Sequence, residues 1–133
     1  MNSPDPIPQN TIIKQIMGKS VVSVDSSITA TDAAKMMEDT GVGAIVVLEN
    51  NMPVGIVTDR DFAIKITAYS YPIDTPVRRI MSSPLISIDP DSDLWVASDL
   101  MSTRNVRKLP VIDDEKVVGM ITSSDLFKHI ADH

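Results

Sequence analysis

The sequence predicts an α/β (α+β) fold: two tandem β-α-β-β-α repeats packed sheet to sheet with pseudo-two-fold symmetry. Three observations carry this. A shift of 64 positions lays residues 16–66 on residues 80–130 without a gap, and 13 of the 51 pairs are identical. Those identities keep Gly55, Thr58 and Asp61 in register with Gly119, Thr122 and Asp125, so a duplicated unit explains them and chance does not. The stretch Gly55-Ile56-Val57-Thr58-Asp59-Arg60-Asp61 returns as Gly119-Met120-Ile121-Thr122-Ser123-Ser124-Asp125. In both copies an apolar strand end runs into Thr-x-x-Asp and then into a run with helical apolar spacing, the pattern of a capping box.

Each element can be read once and checked against its copy. Val21–Val24 and Leu85–Ile88 are short β-type runs, followed by turns at Asp25-Ser26-Ser27 and Asp89-Pro90-Asp91-Ser92. Ala30, Ala33, Ala34 and Met37 follow i, i+3, i+4, i+7, and Leu94, Ala97, Ser98 and Met101 repeat the stripe. Gly41 and Asn105 suit a left-handed helix stop. The strands Ala44–Leu48 and Leu109–Ile112 then turn at Glu49-Asn50-Asn51 and Asp113-Asp114-Glu115 into Val54–Val57 and Val117–Ile121. A second helix is expected over Asp59–Ala68 and over Ser123–Ala131. The predicted layout is a mobile tail at 1–10, repeat one at 11–68, a connector at 69–76 and repeat two at 77–133. One repeat of about 55 residues buries only a marginal core, which two packed together remedy.

Composition narrows the function. A net charge of −6 with no basic arm argues against nonspecific nucleic-acid binding. Four of the basic residues fall in Arg78-Arg79 and Arg107-Lys108, which leaves room for one bound anion. No apolar run approaches a membrane span, and no secretory leader is evident. The chain has no Cys, which removes disulfides and thiolate chemistry and suits a reducing, cytoplasmic setting. His129 closes a helix and His133 is the last residue; with no Cys beside them, no metal site is expected. There is no Walker loop, no Gly-x-Gly-x-x-Gly and no nucleophile with an adjacent base, so an enzyme is not expected.

The paired Gly-h-h-Thr-x-x-Asp stretches, the Ile-Met before the first strand of each copy, and Leu109-Pro110-Val111-Ile112-Asp113 resemble a stand-alone tandem pair of CBS domains, a Bateman module. That resemblance covers the chain from about Thr11 to Ala131. It implies a regulatory module that binds AMP, ADP or ATP in a cleft between the repeats. It also implies signalling to a protein partner by a change of shape, with no catalytic cofactor. Carried over position by position, Asp61 and Asp125 would accept hydrogen bonds from ribose hydroxyls, with Thr58 and Thr122 on ribose or phosphate. Lys19, Ser20, Val21, Pro84 and Leu85 would wall the adenine, together with Val42, Gly43, Ala44, Val106, Leu109 and Pro110. Arg107 and Lys108 match phosphate-contacting positions, and Arg60 would assist. Their counterparts Gly43 and Ala44 carry no charge, so unequal pockets are expected.

Read without the resemblance, both Thr-x-x-Asp boxes are simply helix caps, worth about 1 kcal/mol each. Met36, Leu100 and Trp95 lie off the main helix stripe, which points to a homodimer through those helices. The rival readings are a ligand-free dimeric scaffold, an S-adenosylmethionine binder and an RNA binder.

Overall fold

The computed structural model describes residues 11–131, so the tail expected at 1–10 lies outside the described residues. The chain divides into two compact units: Val21–Ile86, here the continuous unit, and a split unit that runs to Ser20 and resumes at Ser87.

In the continuous unit, β1 (Ser23–Asp25) pairs parallel with β2 (Ala44–Glu49), which pairs antiparallel with β3 (Met52–Thr58). The middle strand β2 reads Ala-Ile-Val-Val, and those four residues are buried because both sheet faces are covered. Helix α1 (Ala30–Thr40) starts at Thr29, whose hydroxyl accepts the Asp32 amide, and stops at Gly41 with φ 75°. Ala30 and Ala33 join Val24, Ile45, Val47, Val57, Val77 and Ile80 in the core. Ala34, expected on the same stripe, is exposed, and Met36, expected off it, packs against this core. Helix α2 opens as one α turn (Asp59–Asp61) and continues with wider π-type winding over Phe62–Ala68. The connector is ordered: the carbonyls of Thr75 and Ile73 accept the Ala30 and Thr31 amides at 2.8 and 3.0 Å, satisfying the first turn of α1. In the turn after β1, the hydroxyl and then the amide of Ser27 donate to Asp25. With a smaller contribution from Arg78, they hold the Asp25 carboxyl below its ordinary range.

In the split unit, α3 (Leu94–Arg104) starts at Asp93, whose carboxylate accepts the Trp95 and Val96 amides, and stops at Asn105 with φ 55°. The hairpin of β4 (Lys108–Asp113) and β5 (Lys116–Thr122) leads into α4 (Ser123–Ala131). The strand expected at Leu85–Ile88 does not form, and a proline explains it. In the continuous unit the Val46 amide donates to Val22 at 3.0 Å. The matching position here is Pro110, which has no N–H to give. What survives is Ile88: its amide donates to Pro110 and its carbonyl accepts from Ile112, both at 3.0 Å.

Sequence repeats and compact units do not coincide. The 3-10 turn Val77–Arg79, which opens repeat two, belongs to the continuous unit, and Ile13–Gln15 belongs to the split one. Each segment then crosses a strand of the hairpin it joins. The Ser82 amide donates to Ile56 at 2.8 Å and Ser82 accepts back at 3.1 Å; Gly18 and Met120 exchange the same pair at 2.9 Å. The crossing is so close that a Cβ on Gly55 would lie 2.6 Å from Met81 Sδ and 2.9 Å from the Ser82 carbonyl. On Gly119 it would meet Met17 Sδ and, at 2.9 Å, the Gly18 carbonyl. The motif's glycine and the Ile-Met of the other repeat are therefore two sides of one contact.

Gly119→Ala is expected to destabilise the fold by about 1–3 kcal/mol, because a backbone carbonyl must shift and not merely a flexible side chain; urea unfolding measures it. The hairpin turns hold Asn50 and Asn51 at φ 51° and 64°, and Asp114 and Glu115 at 50° and 65°. Asparagine tolerates this left-handed region and glutamate does not, so Glu115→Gly should raise stability by up to about 1 kcal/mol in the same assay.

Candidate functional site

The end of β5 and the start of α4 build the site of the split unit. Thr122 and Asp125 close a reciprocal box: the Asp125 amide donates to Thr122 Oγ1 at 3.1 Å, and the Thr122 amide donates to Asp125 Oδ2 at 2.9 Å. This leaves Oδ1 outside the box, on a half-buried residue. Strand register sets Lys108 opposite Thr122. The Ser123 amide donates to the Arg107 carbonyl at 2.9 Å, which ties the loop before β4 to the mouth of α4. The antiparallel Gly18–Met120 bridge lays the opening segment across β5, with Lys19 and Ser20 exposed after it. Two cationic residues, Arg107 and Lys108, are thus anchored close in the backbone to a helix N-terminus. That end already carries partial positive charge, so the arrangement favours an anion. Val106 flanks it, half-buried, whereas Leu109 and Pro110 are fully buried in the core.

The continuous unit repeats the backbone with different side chains. The Thr58 amide and hydroxyl donate to Asp61 Oδ2 at 2.9 and 3.3 Å. The second oxygen is also engaged: Ser82 Oγ donates to Oδ1 at 3.0 Å, and Lys65 Nζ lies 3.5 Å from it. Asp61 is 8% exposed. Ala44 pairs with Thr58, and Val42 and Gly43 precede it, so this end has no counterpart of Arg107 or Lys108. Arg60 is exposed; Val21, Pro84 and Leu85 fall in the same unit. The structure thus sorts the expected residues into two clusters, one per unit. It also puts Lys19 and Ser20 in the unit that holds Thr122, and Pro84 and Leu85 in the unit that holds Thr58.

Sequence reasoning missed Lys65 and Ser82. Lys65 is i+4 from Asp61, ordinary ion-pair spacing on a helix, and the self-match sets it against His129 and Ser82 against Gly18. Those mismatches beside a matched motif were the available signal.

Away from both boxes, an apolar groove of about 320 Å³ runs between α1, α2 and Ile73, lined also by Ala30, Thr31, Ala34, Lys35, Glu38, Phe62 and Ile66. Among the described residues there is no cluster of side chains that would hold a metal ion, and no helix is long and apolar enough to cross a membrane.

Comparison with known proteins accounts for this duplicated architecture. The family model of the CBS domain matches residues 13–67 and again 77–132. The chain is 38% identical over 114 residues to the CBS domain-containing protein YhcV of Bacillus subtilis, covering 86% of this chain and 81% of that one. It is 31% identical over 119 residues to an uncharacterized protein, MK0525, of Methanopyrus kandleri, covering 87% of this chain and 61% of the relative. Among solved structures, the CBS domain pair of protein MJ0100, in complex with 5′-methylthioadenosine and S-adenosyl-L-methionine, superposes with a TM-score of 0.83. That pair is 27% identical, with 92% of this chain and 97% of that one covered.

Proposed function

The chain belongs to the CBS-domain family, and we propose that it is a regulatory module, not an enzyme, that binds an adenosine nucleotide (AMP, ADP or ATP) at the Thr122–Asp125 box. The observation that carries this reading is the carboxylate oxygen of Asp125 left outside its capping box, at the helix mouth to which strand register and the Ser123 amide tie the backbone of Lys108 and Arg107. A ribose diol donates to such an oxygen, and a phosphate answers both the cations and the helix N-terminus. The MJ0100 pair, with two adenosine-type ligands, supports recognition of the nucleoside by this fold. A phosphate distinguishes the nucleotides from S-adenosylmethionine, whose sulfonium would sit poorly near Arg107 and Lys108. Regulation follows if the ligand has unequal affinity for two states of the module.

Asp125→Asn is the informative variant, because the asparagine amide oxygen can still accept the Thr122 amide and keep the box closed, but it is a neutral acceptor. AMP affinity is expected to fall at least tenfold, in line with the 1.5–3 kcal/mol of a charged hydrogen bond, with little change in melting temperature. In the wild-type chain, AMP at a hundred times its Kd should add about 2.7 kcal/mol of stability. Absence of a shift with AMP, ADP and ATP overturns the reading in favour of a scaffold.

The partner reading is a second copy of the chain. Trp95 on α3 and Phe127 on α4 are 53% and 73% exposed, and their counterparts by repeat are the small Thr31, which lines the groove of the continuous unit, and Ala63 on α2. Lys35 likewise matches Asp99. Setting α3 of one copy on α1 of another places a projecting aromatic on a hollow and opposite charges together; α1 on α1, or α3 on α3, sets like charges together. Trp95→Ala should weaken self-association about a hundredfold by sedimentation equilibrium. Lys35→Asp and Asp99→Lys should each weaken it about tenfold, and together restore it. A monomer mass at micromolar concentration removes this reading.

A further inference from the structure

We propose that Ser82 and Lys65 hold the Asp61 carboxylate as an internal substitute for a ribose, so that each chain takes one nucleotide, at Asp125. The inference rests on the nucleotide reading above and adds which residues decide the number of ligands. Two donors converge on the oxygen a ribose would need: the Ser82 hydroxyl at 3.0 Å and the Lys65 ammonium at 3.5 Å. The ammonium is held further: Lys65 Nζ also donates to the carbonyls of Ile80 at 2.7 Å and Met81 at 3.4 Å, the two residues immediately before Ser82. The side chains of Lys65 and Asp61 are 25% and 10% exposed, so a ribose at Oδ1 must break a largely dehydrated ion pair and leave an ammonium facing carbonyls alone.

The split unit differs at both of these positions. Gly18 stands where the continuous unit has Ser82, so no hydroxyl reaches Asp125 from that position, and His129 stands where it has Lys65. The capping bonds of the two boxes are otherwise alike, with the Thr amide 2.9 Å from Oδ2 in each. The difference between the units therefore lies in the residues around the shared motif. Lys65 and Ser82 act as specificity determinants that exclude ligand without touching it.

Calorimetric titration of the full chain with AMP tests this. The expected result is one AMP per wild-type chain, an Asp125→Asn variant that loses it, and a Ser82→Gly/Lys65→His variant that takes a second, weaker AMP. Adding Asp61→Asn to that variant should remove the second event and spare the first. Two AMP per wild-type chain overturns the proposal, as does a folded Ser82→Gly/Lys65→His variant that still takes one. Should AMP fail to bind the wild type, the nucleotide reading falls. The internal hold is then judged by a urea double-mutant cycle on Asp61→Asn and Ser82→Ala, where strict additivity overturns it and coupling supports it.

Discussion

One close crossing organises both units. A segment carrying Ile-Met lies across a hairpin strand at a glycine, close enough that a single Cβ there would strike a backbone carbonyl 2.9 Å away in each unit. The bridges Ile56–Ser82 and Gly18–Met120 pin that crossing by paired backbone hydrogen bonds. Everything at the helix mouths follows from it. Because the segment is held there, the residue after Met81 can present a hydroxyl to Asp61, whereas Gly18 at the matching position of the split unit has none to present. A bulkier residue at Gly55 or Gly119 would disturb packing and site alike, since the same contact positions both.

On this common scaffold the two units diverge electrostatically. A helix N-terminus with its capping carboxylate satisfied can still accept a further anion if neighbouring cations offset the carboxylate. The split unit has Arg107 and Lys108 anchored at such an end. The continuous unit has Gly43 and Ala44 in place of these two, and its nearest cation, Lys65, is already committed to Asp61 and to two carbonyls. One end carries two cationic residues, and at the other the carboxylate is paired within its own unit. A chain of net charge −6 keeps this local positive region despite an unfavourable overall sign, because the relevant field falls off over about 8–10 Å in salt.

Much of the architecture was legible because it is local. Helix stops at Gly41 and Asn105, hairpin turns at Asn50-Asn51 and Asp114-Glu115, and the capping boxes all depend on residues within four positions of one another. What depended on distant partners was not. The strand expected at Leu85–Ile88 fails because a donor is missing at Pro110, more than twenty residues on, and that proline reads as harmless within its own strand. The placement of Met36 against the core, when its spacing pointed outward, is set by tertiary packing that periodicity alone cannot weigh. The exchange of opening segments between units leaves no trace in a self-alignment, since either connection gives the same register. Likewise, Asp61 looks identical to Asp125 within its motif, and its different surroundings come from Ser82, twenty-one residues away.

That last point bears on what a duplicated motif can report. Thr-x-x-Asp satisfies backbone donors that would otherwise be left unpaired at a helix start, and it does so in both units with the same amide-to-carboxylate distance of 2.9 Å. A cap is useful whether or not a ligand is present, so the fold itself supplies a reason for each copy to carry the carboxylate. Counting motifs therefore counts helix starts. On the proposal of one nucleotide per chain, the number of ligands is decided by positions outside the motif: a hydroxyl or hydrogen at 82 and 18, an ammonium or imidazole at 65 and 129, and a small or cationic residue at 43 and 107.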